Sequence, residues 1–444
     1  MLNYNDYRQH LLSLIKAALD AADPYTAVIN HLHKNGRLLH IGSHTHDLDQ
    51  GRVFLISIGK AGQPMARAAA DILQDDLHQG IIITKAVSTQ HSVLSPQSSV
   101  LSTYFAAHPV SDERSIAATQ AALDLLQQTG QDDLVLCLIS GGASALFTNP
   151  LLPLPEWQEL NQALLASGCT INEFNCVRRQ LDQVKGGGLA QAAAPATCIS
   201  LILSDVVGNP LADIGSGPTV LTEETAVDAL NVLNRYDIAH VIKPDVWEQI
   251  TAVLNQPPAP TPSIRTFHHI IGDIRIAANA AGNKAQQLGF TTQLLTAQLE
   301  GEAREIGKVA AAIAKDTPPN HCLILGGETT VTLRGNGIGG RNLETALSAA
   351  ISLAGTSHCV VASFATDGDD GPTQAAGAVI SGEVVANGRL HNLDAHSHLE
   401  NNDSYTYFHK LDAHLPANQT TLIHTGLTGT NVNDLIFILT YAET

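Results

Sequence analysis

Apolar residues fall into two kinds of run along this chain. The first kind is continuous. Val53 to Ile58, Gly80 to Thr84, Leu134 to Ile139 and Cys198 to Leu203 carry almost no polar interruption, which predicts strands buried on both faces. The second kind recurs every three or four residues. Leu11, Leu14, Ile15, Ala18 and Ala22 share one face and predict a helix over 4–22. Asp23-Pro24 then reads as an N-cap with proline at the first helical position. The stretch 35–52 is polar and reads as a loop. Helices are expected through about Leu73 and over 111–128, 155–166 and 170–181. Strands alternating with helices in this way predict an α/β fold, with a Rossmann-like, largely parallel sheet covered on both faces.

A boundary interrupts the pattern at Asn255 to Ser263, which contains Pro257, Pro258, Pro260 and Pro262. Proline at that density forms an extended linker, so two domains are expected, over 1–254 and 264–444, with 255–263 between them. Beyond it, a strand ends at Ile270 and Ile271. Helices are expected over 274–288, 302–314 and 343–353, and strands over 322–325, 329–334, 360–365 and 435–440. The 329–334 segment alternates with threonine and reads as antiparallel, which makes the second domain a mixed-sheet α/β unit.

With 444 residues the chain is long enough for two cores. Its 24 basic against 42 acidic residues give a net charge of −18. That argues against nucleic acid or an anionic membrane as the main partner. The first nine residues lack the apolar core of a secretory signal, and no apolar run reaches the ~18 residues of a membrane span. Six cysteines show no CxxC spacing, and Cys137, Cys198, Cys322 and Cys359, in apolar runs, read as small buried hydrophobes in a reducing cytoplasm, the expected location. His44-Thr45-His46 and His396-Ser397-His398 read as solvated loop residues rather than a zinc site.

Small-residue turns recur where ordered segments end: Ser140 to Ala145, Lys185 to Gly188, Gly215 to Pro218 and Gly335 to Asn342. Tight turns need glycine for conformational reasons alone. Several such turns in one chain, each beside a strand or helix end, suggest a ligand with several anionic groups. Lys60 follows a strand as a flexible point charge. Asp205 follows another strand, as a general base or metal ligand would. Arg341 opens a helix, as a clamp for carboxylate or phosphate would. Gly335 to Gly340 has the form G-x-G-x-x-G, but the ribose-binding acid about 20 residues on is absent, so anion binding is favoured over dinucleotide binding. Thr366 to Gly371 and Thr425 to Asp434 are further polar turns, and Gly326 to Thr329 is expected to place Glu328 beside the second. The phosphate loop of Walker type and the G-x-S-x-G elbow are both absent.

Taken together, Gly59 to Ala61, His108-Pro109, Ser140 to Leu146, Asn175 to Ala190, Leu203 to Thr219, Gly326 to Glu344, Thr366 to Ala378 and Thr425 to Leu435 resemble the glycerate 2-kinase family, in the family's order and over nearly the whole chain. That family joins a glycerate kinase domain to a MOFRL domain. The resemblance implies phosphorylation of D-glycerate at its 2-hydroxyl by ATP with Mg²⁺, in a cleft between two α/β domains. It implies Lys60, Asp205 and Arg341 as catalytic residues. Substrate or nucleotide contacts are implied at Ser140, Gly141, Gly142, Ser144, Ala145, Arg178, Lys185, Gly186, Ser216, Gly217, Glu328, Gly339, Gly340, Asn342, Asp367 and Asn431. Asp205, Glu328, Asp367 and Asp434 are the acids open to the metal. The chain departs from the family pattern at Asn209, where Asp is frequent, at Asp182, where Ser is common, and at Gly188, where Arg is common. The partners implied are small molecules, and a homodimer is compatible with the sequence. Two rival readings are an NAD(P)H-dependent hydroxypyruvate reductase and a non-catalytic sensor of phosphorylated metabolites.

Overall fold

The computed structural model describes residues 2–86, 100–257, 262–417 and 419–442. Two compact units emerge, one of 24–204 with 209–271, the other of 1–23 with 205–208 and 272–444.

The first unit is built on a six-stranded sheet in the order Leu101–Ala106, Leu77–Lys85, Val53–Ile58, Leu134–Ile139, Thr197–Leu203, Arg265–Gly272. The pairings among the first five of these strands are parallel. Every residue of Val53–Ile58 and of Leu134–Ile139 is buried. This is why those segments are almost wholly apolar: each large apolar side chain withdrawn from water contributes about 1.5–3 kcal/mol. A satellite core lies among the helices Leu154–Ala166, Ile171–Gln180, Ala226–Arg235 and Pro244–Leu254, around Trp157, Phe174, Leu233 and Ile250.

The expected polar loop over 35–52 is instead a three-stranded antiparallel meander, Leu32–Asn35, Leu38–Ile41 and His44–Asp47. Only alternate residues such as Leu39 and Ile41 are buried, so the apolar signal is thin. His44 and His46 therefore lie on a strand, and His396 and His398 on the helix Ala395–Glu400. No group of three or more His, Cys, Asp or Glu among the described residues is arranged to hold a metal.

The second unit has a mixed sheet in the order Thr291–Glu302, His321–Thr330, Asp434–Thr440, Cys359–Ala365, Gly377–Ser381, Leu422–Ile423. Its first pairing is parallel and the others antiparallel. The separate strands expected at 322–325 and 329–334 are one strand that stops at Thr330. The helices Ala303–Asp316 and Arg341–Leu353 pack on one another over this sheet, with alanines on the shared face.

The units do not part at the proline-rich stretch. Arg265–Gly272 returns to the edge of the first sheet beside Thr197–Leu203. The first helix, Tyr7–Ala21, packs on Ile274–Leu288 and belongs to the second unit. Residues 258–261, the middle of the expected linker, lie outside the described residues. No helix among the described residues is long and apolar enough to cross a membrane.

Candidate active site

In the first unit the parallel strands deliver three turns to their C-terminal ends, where ligands of open α/β sheets bind. Two of these turns are locked together. Lys60 N–H donates to the Gly141 carbonyl at 2.9 Å, Ser140 N–H to Ile58 at 2.9 Å, and Ala61 N–H to Ser140 Oγ at 3.1 Å. Gly59 has φ +121, and a Cβ there would stand 2.2 Å from Ser140 Oγ, so glycine is required. The N–H groups of Gly141, Gly142, Ala143 and Ser144 find no acceptor among the described residues. The exposed Lys60 passes beside this turn, since a Cβ on Gly142 would lie 3.3 Å from Lys60 Cγ and 3.0 Å from His108 Cδ2. Burial, together with the Lys60 and Lys85 charges, pulls the His108 imidazole down to about 4, so the ring is neutral at pH 7. This turn thus offers open N–H donors beside the Lys60 cation.

Two buried cations support it from below. Arg178 Nη2 donates to the Ser144 carbonyl at 2.7 Å, and Lys185 Nζ donates to the same carbonyl and to that of Phe147, each at 2.9 Å. Burial brings Arg178 down to about 10, and Lys185 down to about 7 despite Asp182 at 3.7 Å. Ser144 Oγ meets Ser216 Oγ at 2.9 Å, and Ser216 Oγ donates to Asn175 Oδ1 at 3.0 Å. Ser111 Oγ donates to the Ala145 carbonyl at 2.9 Å. Gly186 and Gly187 spend their N–H groups on the Ser216 and Gly217 carbonyls, at 3.1 and 2.8 Å. Those amides hold two chain segments together, where the sequence suggests anion contacts.

Two of the departures from the family pattern acquire physical reasons. Asp182 accepts from the Thr148 hydroxyl, from Asn149 N–H at 3.1 Å and from Val184 N–H at 3.0 Å, so it organises the turn before Lys185. A Cβ on Gly188 would stand 1.9 Å from the Gln183 carbonyl oxygen, so this backbone path accepts no side chain. Asn209 takes a left-handed conformation at φ 55.

In the second unit Arg341 opens its helix from between two acids. Its Nε and Nη2 donate to Asp434 at 2.5 and 3.0 Å, and its Nη1 lies 3.0 Å from Glu328. Burial opposes the guanidinium charge, but Asp434, Glu328 and Asp370 outweigh it and hold Arg341 firmly protonated. The helix start beside it is already occupied. Asp370 accepts from Asn342 N–H at 3.1 Å and from Leu343 N–H at 2.8 Å. Burial lifts its carboxyl to about 6 against the pull of those amides.

The glycines of 335–340 are there for close packing. A Cβ on Gly335, Gly337, Gly339 or Gly340 would fall 2.1–2.4 Å from Asn401, Asp403, Ser404 or Asp370. Asn402 fixes the same turn, accepting from Arg334 N–H at 2.6 Å and Gly335 N–H at 3.1 Å, and donating to Glu344 at 2.9 Å. Glu344 in turn pairs with the buried Arg304 at 2.9 Å. Asn431 Oδ1 accepts from Asn433 N–H at 3.1 Å, and Asp367 lies in the turn after Cys359–Ala365. Asp205 follows Thr197–Leu203 but groups with the second unit, as Arg341 does, whereas Lys60 belongs to the first.

Asp370 and His108 are the residues that sequence reasoning did not single out as site groups. The only local sign of Asp370 is its place in the acidic run 366–371, since the helix it caps begins 29 positions earlier in the chain.

Two family models match, the domain of unknown function DUF4147 over residues 10–251 and the MOFRL family over residues 321–434. A D-glycerate 2-kinase of Thermotoga maritima is 38% identical, covering 98% of this chain and 99% of its own. A glycerate 2-kinase of Pyrococcus horikoshii is 36% identical over 98% of this chain and 97% of its own. The crystal structure of a glycerate kinase from Thermotoga maritima superposes with a TM-score of 0.84 at 37% identity, covering 98% of this chain and 99% of that one. The chain belongs to the family that joins a DUF4147 domain to a MOFRL domain, the family of these glycerate kinases.

Proposed function

We propose that this protein is a glycerate 2-kinase, transferring the terminal phosphoryl group of ATP to the 2-hydroxyl of D-glycerate. The observation that carries the reading is near-complete, end-to-end similarity at 38% identity to a D-glycerate 2-kinase. The local chemistry agrees with it. Phosphoryl transfer asks a protein for positioning and charge neutralisation rather than covalent help. Lys60 and Arg341 are assigned to the charge on the transferring phosphate. Asp205 is assigned to the proton of the attacking hydroxyl. The free amides of 141–144 suit a carboxylate or phosphate oxygen.

Mg²⁺ is proposed as the companion of ATP. Glu328 and Asp434 converge on one guanidinium, and one or two carboxylates are the usual protein share of a Mg²⁺ shell, phosphate and water filling the rest. These two acids would hold the ion, with Asp205 and Asp367 as further candidates. Bound there, it would neutralise charge across the phosphates. The reductase reading is disfavoured because the G-x-G-x-x-G helix start is capped by Asp370.

An enolase-coupled assay with ATP, Mg²⁺ and D-glycerate, without phosphoglycerate mutase, tests the proposal. Phosphoenolpyruvate is expected. ADP without phosphoenolpyruvate would move the transfer to the 3-hydroxyl. Neither product, with NADH consumed on hydroxypyruvate, would give the reductase; no turnover at all would give the sensor.

A further inference from the structure

At the opposite end of the first sheet from Lys60 and Ser140 lies a cavity of about 410 Å³, within the size range of small-molecule sites, roughly 300–1,000 Å³. It sits where Leu134–Ile139, Thr197–Leu203 and Arg265–Gly272 begin, under the meander strand His44–Asp47. Its wall carries four kinds of chemistry. Arg265 spends only Nη2, on the Gln131 and Pro195 carbonyls, at 2.6 and 3.3 Å. Its remaining N–H groups have no partner among the described residues. The next residue along, Asp132, is exposed and likewise unpaired among the described residues. His46 uses one ring nitrogen on the Gly51 backbone, and its Nε2 is buried without a partner. Phe267 is 38% exposed and lies against the His44 ring at 3.7 Å between centroids. His44 is itself held by His269, at 3.2 Å. The other acid on the wall, Asp47, is already engaged by Asp49 N–H at 3.0 Å and Gln50 Nε2 at 3.2 Å.

A plain anion would satisfy Arg265 but meet Asp132. A plain cation would do the reverse. A zwitterion satisfies both, and its ammonium has a proton left for His46 Nε2. We propose that this cavity is a binding site for an α-amino acid with an apolar or aromatic side chain. Its carboxylate is held by Arg265, its ammonium by Asp132 and His46, and its side chain by Phe267 and His44. The site is distinct from the catalytic residues, and the proposal stands or falls independently of the kinase reading.

Calorimetric titration of the full chain with glycine, L-leucine and L-phenylalanine tests it. The comparison ligands are phenethylamine, which lacks the carboxylate, and 3-phenylpropionate, which lacks the ammonium. Saturable binding of leucine or phenylalanine is expected, weakened at least ~10-fold in either analogue, because each leaves a charged group unmatched. Arg265→Gln and Asp132→Asn should each weaken binding by a similar factor. Asp132 is exposed, so its variant keeps the fold even if loss of the Arg265 bonds loosens the sheet edge. Binding should persist in Lys60→Ala. Absence of binding by all three amino acids overturns the proposal. So does 3-phenylpropionate binding as tightly as phenylalanine, or affinity unchanged in Asp132→Asn.

Discussion

Two glycine-rich turns, 140–145 and 335–340, look alike in sequence and are used in opposite ways. Each lies between a strand and a helix. In the first, glycine lets two strand ends interlock, and four successive amides remain open beside Lys60. In the second, glycine lets the turn lie flat on 401–404, and the helix start is closed by Asp370. The charges beneath them are opposite too. Lys185 is buried under the first turn, while Asp370 is buried at the second. A small-residue turn ahead of a helix is thus an anion receptor only if the chain does not supply its own anion, and the supplier can be far away in sequence.

The contrast can be broken by substitution. The largest effect should come from Lys60→Ala, with kcat down by roughly 10²–10³, the order expected for one lost electrostatic contact in a transition state. Its melting temperature should not move, because the side chain is exposed. An unchanged kcat would remove the first turn from the chemistry. Next, Gly340→Ala should cost about 1–3 kcal/mol in urea unfolding, as overpacking does, since its Cβ would stand 2.3 Å from Asp370 Cγ. If that variant is as stable as the parent, the second turn is not a packing device.

The buried charges predict opposite pH slopes. The Asp370 carboxyl titrates at about 6 in the fold against an ordinary 3.8, mainly through burial. The folded state therefore holds the proton more tightly than the unfolded chain. This contribution to stability is present in full below pH ~4 and is lost as pH rises through 6. Lys185 titrates at about 7 against 10.5, again mainly through burial. Here the unfolded chain binds the proton more tightly, so stability gains as pH rises from about 7 towards 10.5. Asp370→Asn should flatten the first slope and Lys185→Met the second, measured by denaturant midpoints across pH. The smallest effect should be at Gly36→Ala, with φ +60 in open space, at about 1 kcal/mol.

Much of the first unit was legible because its central strands are buried on both faces and so carry few polar residues, such as Ser57 and Ser200, each of them hydrogen-bonded. Lys60, Ser140 and the turn they share followed from where those strands end. The meander over 32–47 was illegible because short strands with one wet face look like loop. Thr291–Glu302 was missed for a similar reason, exposed and half-buried residues alternating along most of it. Arg265–Gly272 was recognisable as a strand, but its sheet was not, because proline density marks a linker and says nothing of which edge the chain joins next. Asp370 illustrates the same limit at the site: a capping acid is recognisable beside its helix and invisible when tertiary structure brings it there.

The helix Tyr7–Ala21 is synthesised more than 250 residues before its packing partner Ile274–Leu288. At ~5–20 residues per second, that segment waits more than ten seconds with its apolar face uncovered, while an entire α/β layer can form behind it. That uncovered face makes the nascent helix a natural client for a chaperone. A fragment starting at residue 272 would lack the helix that covers Ile274–Leu288, and supplying residues 1–23 as a separate peptide should restore its solubility.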